Sequence, residues 1–185
     1  MKPFFVVLVL ASAFASCKGK KKDADLPYFS VLNYIQAQVR HMDTSAYHFT
    51  LIETRNGVSD TAVLPGRQFR TYAKDFLSLP DISAKEKKRH YVESNTYDET
   101  LNNVLLTYTT EDPDEEVRRE TVMLEAGTNG DTHPGTILVN LMRTSNDSTV
   151  VKDLTWHVGK RFLVVTKTSK PGQAEQIKTT QVKWE

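Results

Sequence analysis

Few residues in this 185-residue chain could do chemistry: one Cys, five His and 23 carboxylates against 24 basic side chains. A single thiol, Cys17, excludes an internal disulfide and a multi-Cys zinc site. The histidines are His41, His48, His90, His133 and His157. His41, Asp43 and His48 form the one tight grouping, but they straddle an expected helix end and strand start, so three ligands would not converge. His133 lies in the loop Gly127 to Gly135, which offers oxygen ligands without the spacing or the bidentate Glu of a calcium loop. The acidic run Glu111, Asp112, Asp114, Glu115 and Glu116 flanks Pro113 and reads as a solvated turn. Glu93, Asp98, Glu99 and Glu125 are the remaining candidates for a facing carboxylate pair, which glycoside hydrolysis needs, but spacing alone does not bring them together. The chain has no Gly-x-Ser-x-Gly elbow, phosphate loop, dinucleotide fingerprint or His-Glu-x-x-His pair. No catalytic, cofactor-binding or metal-binding residue is therefore assigned, and the expectation is a protein that is not an enzyme and carries no cofactor.

The aromatics Tyr91, Tyr97, Tyr108, Trp156, Phe162 and Trp184 fall on expected strands, where cross-strand packing is their commonest use. Asn146-Asp147-Ser148 matches a glycosylation acceptor but also makes a good polar turn. A formal charge of +1 excludes a generally basic nucleic-acid binder.

Elements that could position these residues can be read from periodicity. Tyr28, Leu32, Ile35, Val39 and Met42 recur at steps of four and three, which predicts a first helix opening near Leu26-Pro27. Tyr47 to Thr54 has strand chemistry. Asn56-Gly57 is a hairpin turn, because both residues accept positive φ, and Val58 to Leu64 returns beside it. A second helix is predicted over 67–77 on Phe69, Ala73, Phe76 and Leu77, with a further turn near 83–88. From His90 onward, strands are predicted near 90–98, 103–110, 117–126, 135–144, 148–157, 161–169 and 175–184. Polar, Pro and Gly turns punctuate them.

Strands at roughly ten-residue spacing with short turns must pair antiparallel with their neighbours. Along Val150 to His157, Val150, Lys152, Leu154 and Trp156 share one side. Both faces carry some large apolar residues, which predicts a curved sheet with partial cover on its second side. The fold class expected is α+β: an antiparallel meander of about seven C-terminal strands plus an N-terminal hairpin, with two helices packed on the sheet.

The N-terminal segment carries an address. Lys2 is followed by an apolar and small run from Phe4 to Phe14, the length of a signal-peptide core and too short to cross a bilayer. Phe14-Ala15-Ser16-Cys17 then places small residues immediately before the only thiol. On these residues the segment resembles that of a bacterial lipoprotein, with Phe14 where the family most often has Leu. The resemblance implies cleavage before Cys17 and acylation of its thiol, with the membrane as a partner through those acyl chains. Two or three chains hold far more firmly than one, at about 0.8 kcal/mol per buried methylene.

The expected organisation is a signal peptide over 1–16, an acylated Cys and Lys-rich tether over 17–25, and one domain over 26–185. Removing residues 1–16 takes away Lys2 alone among charged groups and leaves 23 basic against 23 acidic residues. The tether has Lys18, Lys20, Lys21 and Lys22 against Asp23 and Asp25, with no large apolar residue, as a spacer would. Lys18 stands where some inner-membrane lipoproteins have Asp, which directs the expectation to the outer membrane of a bacterial envelope. The layout of the domain resembles the half-barrel lipoprotein carriers in outline only, without a shared motif. The function expected is a non-catalytic binding or assembly role with an unidentified protein or hydrophobic ligand and no nucleic acid. The alternatives are a carrier of a hydrophobic ligand between sheet and helices, and a glycan hydrolase.

Overall fold

The computed structural model describes residues 27–127 and 131–185. The expected signal segment over 1–16, Cys17 and the expected tether lie outside the described residues. The domain is α+β and consists mainly of one nine-stranded antiparallel sheet. Helix α1 spans Val31–Asp43 and leads into the hairpin β1 (Phe49–Arg55) and β2 (Val58–Leu64). A 3-10 turn at Gly66–Gln68 is followed by α2 (Phe69–Tyr72), α3 (Lys74–Leu77) and α4 (Lys85–Lys88). The meander is β3 (Val92–Asp98), β4 (Asn103–Thr109), β5 (Val117–Ala126), β6 (Thr132–Thr144), β7 (Thr149–His157), β8 (Arg161–Ser169) and β9 (Gln176–Trp184).

Strand order is β2-β1-β9-β8-β7-β6-β5-β4-β3. Each meander strand pairs with its successor, and the hairpin docks on the last strand, with Phe49 opposite Trp184 and Arg55 opposite Lys178. The sheet is open, since β2 and β3 stand at its two edges. The hairpin turn forms as expected: Asn56 and Gly57 have φ of 50° and 82°, the left-handed pair a two-residue turn requires. Gly172, at φ 72°, takes the corresponding place after Pro171.

Helix and hairpin residues bury on one face. Val31, Ile35, Val39 and Met42 of α1 join Phe69, Ala73 and Phe76 in a core with Phe49, Leu51, Ile137, Val139, Leu154, Trp156, Phe162, Val164, Val182 and Trp184. Phe69 is the centre of an aromatic group, 4.8 Å from Phe49, 5.6 Å from Trp184 and 5.7 Å from Phe162 between ring centroids. Phe76 lies 5.2 Å from Trp156, which stacks on Phe162 at 5.5 Å. The space between sheet and helices at this end is filled by rings in edge-to-face and stacked contact.

Four sequence expectations are corrected. Helix α1 opens at Val31, not Leu26-Pro27, because Ser30 caps it: the Asn33 amide donates to the Ser30 hydroxyl at 3.3 Å. Tyr28 therefore precedes the helix, and its hydroxyl donates to the Tyr91 carbonyl. The predicted helix over 67–77 is broken at Ala73 into α2 and α3, which turns both Phe69 and Phe76 into the core. Strand β6 begins at Thr132, earlier than expected, with a bulge opposite Met123/Leu124. The second face of the sheet carries no helix among the described residues. Its apolar side chains, such as Leu138 and Met142, remain partly exposed.

Candidate functional site

Four adjacent strands change character along the helix-covered face. From the aromatic end, this face reads Phe49, Leu51, Glu53, Arg55 on β1 and Trp184, Val182, Thr180, Lys178 on β9. It continues Phe162, Val164, Thr166 on β8 and Trp156, Leu154, Lys152 on β7. Helices α1 to α3 cover the aromatic half. The polar half stays open and forms a hollow of about 470 Å³ between those strands and Tyr72, Lys74 and Asp75. A second hollow of about 270 Å³ shares Asp75 and Lys152 and continues toward Pro80, Leu141 and Arg143.

The polar half is ordered by charge pairs. Lys178 Nζ lies 2.6 Å from Glu53 Oε1, and the Thr180 hydroxyl donates to the same carboxylate at 3.5 Å. Lys152 Nζ lies 2.7 Å from Asp75 Oδ1, tying β7 to α3. At the rim, Arg143 holds Glu116 with two contacts of 2.9 and 2.8 Å. The Lys178 hydrogen bond keeps the Glu53 carboxyl below its ordinary range, so Glu53 is ionised at neutral pH. Such a surface offers alternating ammonium and carboxylate groups with hydroxyls between them. It can hold a polar ligand by hydrogen bonds, but Glu53 has no proton to give.

A second polar group lies beneath the loop after α3. Glu120 of β5 is 1% exposed, and its Oε2 has no hydrogen-bond partner. Burial, with a smaller push from Asp81, moves its pKa up to about 8. Asp81 is held by Ser83, whose hydroxyl donates at 2.6 Å, and by Ser30 at 3.2 Å, which fastens the loop to the start of α1. Glu115 is also buried but paired, with Lys87 Nζ at 2.8 Å. The Tyr91 hydroxyl donates to the Val117 carbonyl, and the Phe29 amide donates to the Tyr108 hydroxyl. Desolvation raises both phenols well above their usual range.

The sequence candidates fall as follows. His41 is exposed near Tyr47. Asp43 pairs with Arg70 at 2.7 Å, and His48 is exposed just before the hairpin, so the three do not converge. Among the described residues no group of three His, Cys, Asp or Glu is placed to hold a metal ion. His133 is exposed on β6, in register with Glu125. The acidic run is not a uniformly solvated turn: Asp112 meets His90 at 2.7 Å, Glu115 is buried on Lys87, and Glu116 takes Arg143. Glu93 stands opposite Tyr108 on the edge strand β3, and Asp98 accepts the Thr100 and Leu101 amides. Tyr91, Tyr108, Trp156, Phe162 and Trp184 are core residues, whereas Tyr97 is exposed. Asn146-Asp147-Ser148 forms the β6–β7 turn, where Ser145 donates to Asp147. The polar hollow was not anticipated. Its signal was the switch from apolar to polar at every second residue, plain along Trp156, Leu154 and Lys152.

The fold defines an α+β protein dominated by an open antiparallel sheet. No family model matches the sequence, and neither a curated protein nor a solved structure is significantly similar to it. No helix among the described residues is long and apolar enough to cross a membrane.

Proposed function

We propose that the chain is a lipid-anchored protein of the bacterial envelope whose domain binds a polar ligand or partner without catalysis. The observation that carries this reading is the only thiol standing at position 17, directly behind an apolar run and two small residues. Acyl chains on Cys17 anchor the domain at a bilayer, and the tether spaces it from the surface. The open polar hollow between Glu53, Lys178, Lys152 and Asp75 supports a binding role. The aromatic filling between sheet and helices speaks against a carrier that lodges an apolar chain there. A glycan hydrolase needs a protonated carboxyl facing an ionised one across a cleft. Among the described residues the carboxyl with a raised pKa is Glu120, sealed in the core, and Glu53 in the hollow is ionised.

Growth of the bacterial host with a clickable fatty acid tests the anchor. The wild-type chain incorporates label, and Cys17→Ala does not. Equal label in both removes the proposal.

A further inference from the structure

The open face of the sheet concentrates positive charge at the end where β9 finishes. Cross-strand register sets Thr50, Lys183, Arg161, His157 and Thr136 side by side in one row. Lys183 stands directly opposite Arg161, a like-charge pair that destabilises a sheet, and Lys160 adjoins it in the β7–β8 turn. Elsewhere on the same strands the cations are matched: Lys178 with Glu53, Lys167 with Asp153 and Lys152 with Asp75, all within 3.1 Å. Lys160, Arg161 and Lys183 have no ion-pair partner among the described residues. They line a hollow of about 610 Å³ together with His48, His157 and Glu185.

We propose that this hollow is a binding site for a phosphoryl group, with Arg161, Lys183 and Lys160 as its charged contacts and His157 as a further donor. Three cations in a concave surface match an anion with three acceptor oxygens and about two charges. The planar fork of Arg161 is suited to bidentate contact with such a group. His157 Nδ1 lies 3.1 Å from the Thr136 hydroxyl. When that hydroxyl donates to Nδ1, the neutral ring keeps its hydrogen on Nε2, a donor for the anion. The His157 pKa is lowered first by burial and then by the positive charges of Arg161 and Lys160, with Glu125 acting the other way. Glu185 also lines the hollow, and its main-chain oxygen accepts a hydrogen bond from the His48 amide. An anion seated between Lys183 and Arg161 resolves the repulsion the register builds in. The site stands whether or not Cys17 is acylated.

The test uses the full chain in neutral detergent, with melting temperature and calorimetric titration followed against inorganic phosphate at constant ionic strength. Phosphate raises the melting temperature above a chloride control. Lys183→Gln and Arg161→Gln each weaken phosphate binding about tenfold or more, the worth of one hydrogen bond to a charged group. Each variant also melts higher than wild type without phosphate, because a like-charge neighbour is gone. That second readout shows the variants are folded. A parallel arm uses phosphatidylcholine vesicles with and without phosphatidic acid. Binding of inorganic phosphate identifies a soluble phosphate source, whereas variant-sensitive binding confined to phosphatidic-acid vesicles identifies a lipid headgroup. No response in either arm, or a response undiminished in both variants, overturns the proposal.

Discussion

Replacing Glu120 by Gln isolates the energetic effect of one buried proton. Glu120 lies between Val139 and Tyr108 in the register of β4 to β6, and the Asp81 charge adds to the effect of its burial. Its pKa is pushed from 4.5 up to about 8 in the folded chain. Between those values the unfolded chain has released the proton while the folded chain still holds it. The folded state thus binds more protons, and stability falls as pH rises through this window. The slope approaches about 1.4 kcal/mol per pH unit, so the whole window corresponds to about 5 kcal/mol. Glu120→Gln keeps the shape and removes the ionisation. Its amide adds donors that the core does not satisfy, at about 1–3 kcal/mol, an offset independent of pH. The difference in unfolding free energy, variant minus wild type, should therefore climb by about 3 kcal/mol between pH 5 and pH 7.5. Urea unfolding of both proteins at half-unit pH steps measures it. Parallel stability curves would mean that Glu120 is solvated or already ionised in the native state, and the account of this corner of the core would be wrong.

Two further outcomes follow from the packing. Phe69→Ala removes the ring at the centre of the aromatic group and should lower unfolding free energy by about 3–5 kcal/mol, read from the urea midpoint with an unchanged slope. Ser30→Ala removes the α1 cap and a contact to Asp81 together, so the loss should be about 1–2 kcal/mol, with Ser30→Asp failing to restore it because its carboxylate would face Asp81.

Much of the fold was legible because its causes are local. The Asn56-Gly57 turn, the seven-strand meander and the α1 stripe each follow from residues within a few positions of one another. Details set by a cap or a break were displaced: Ser30 moved the helix start, and Ala73 split the second helix so that Phe69 and Phe76 both reach Trp156 and Phe162. Burial of Glu120 was not legible, since its neighbours Arg119 and Thr121 are polar and the bulge between Val117 and Arg119 shifts which residues of β5 face inward.

By itself, the order of residues determined the alternation of each strand, the turns between strands and the isolated thiol at Cys17, because these depend on nearest neighbours along the chain. Docking of the hairpin on β9 was decided only in three dimensions, where an unpaired edge meets strand residues more than a hundred positions away. The same pairing set Glu53 against Thr180 within reach of Lys178, and it added Thr50 to the row of Lys183, Arg161 and His157. Sites assembled across strands depend on register, and register is fixed by how a whole face buries, not by any one segment.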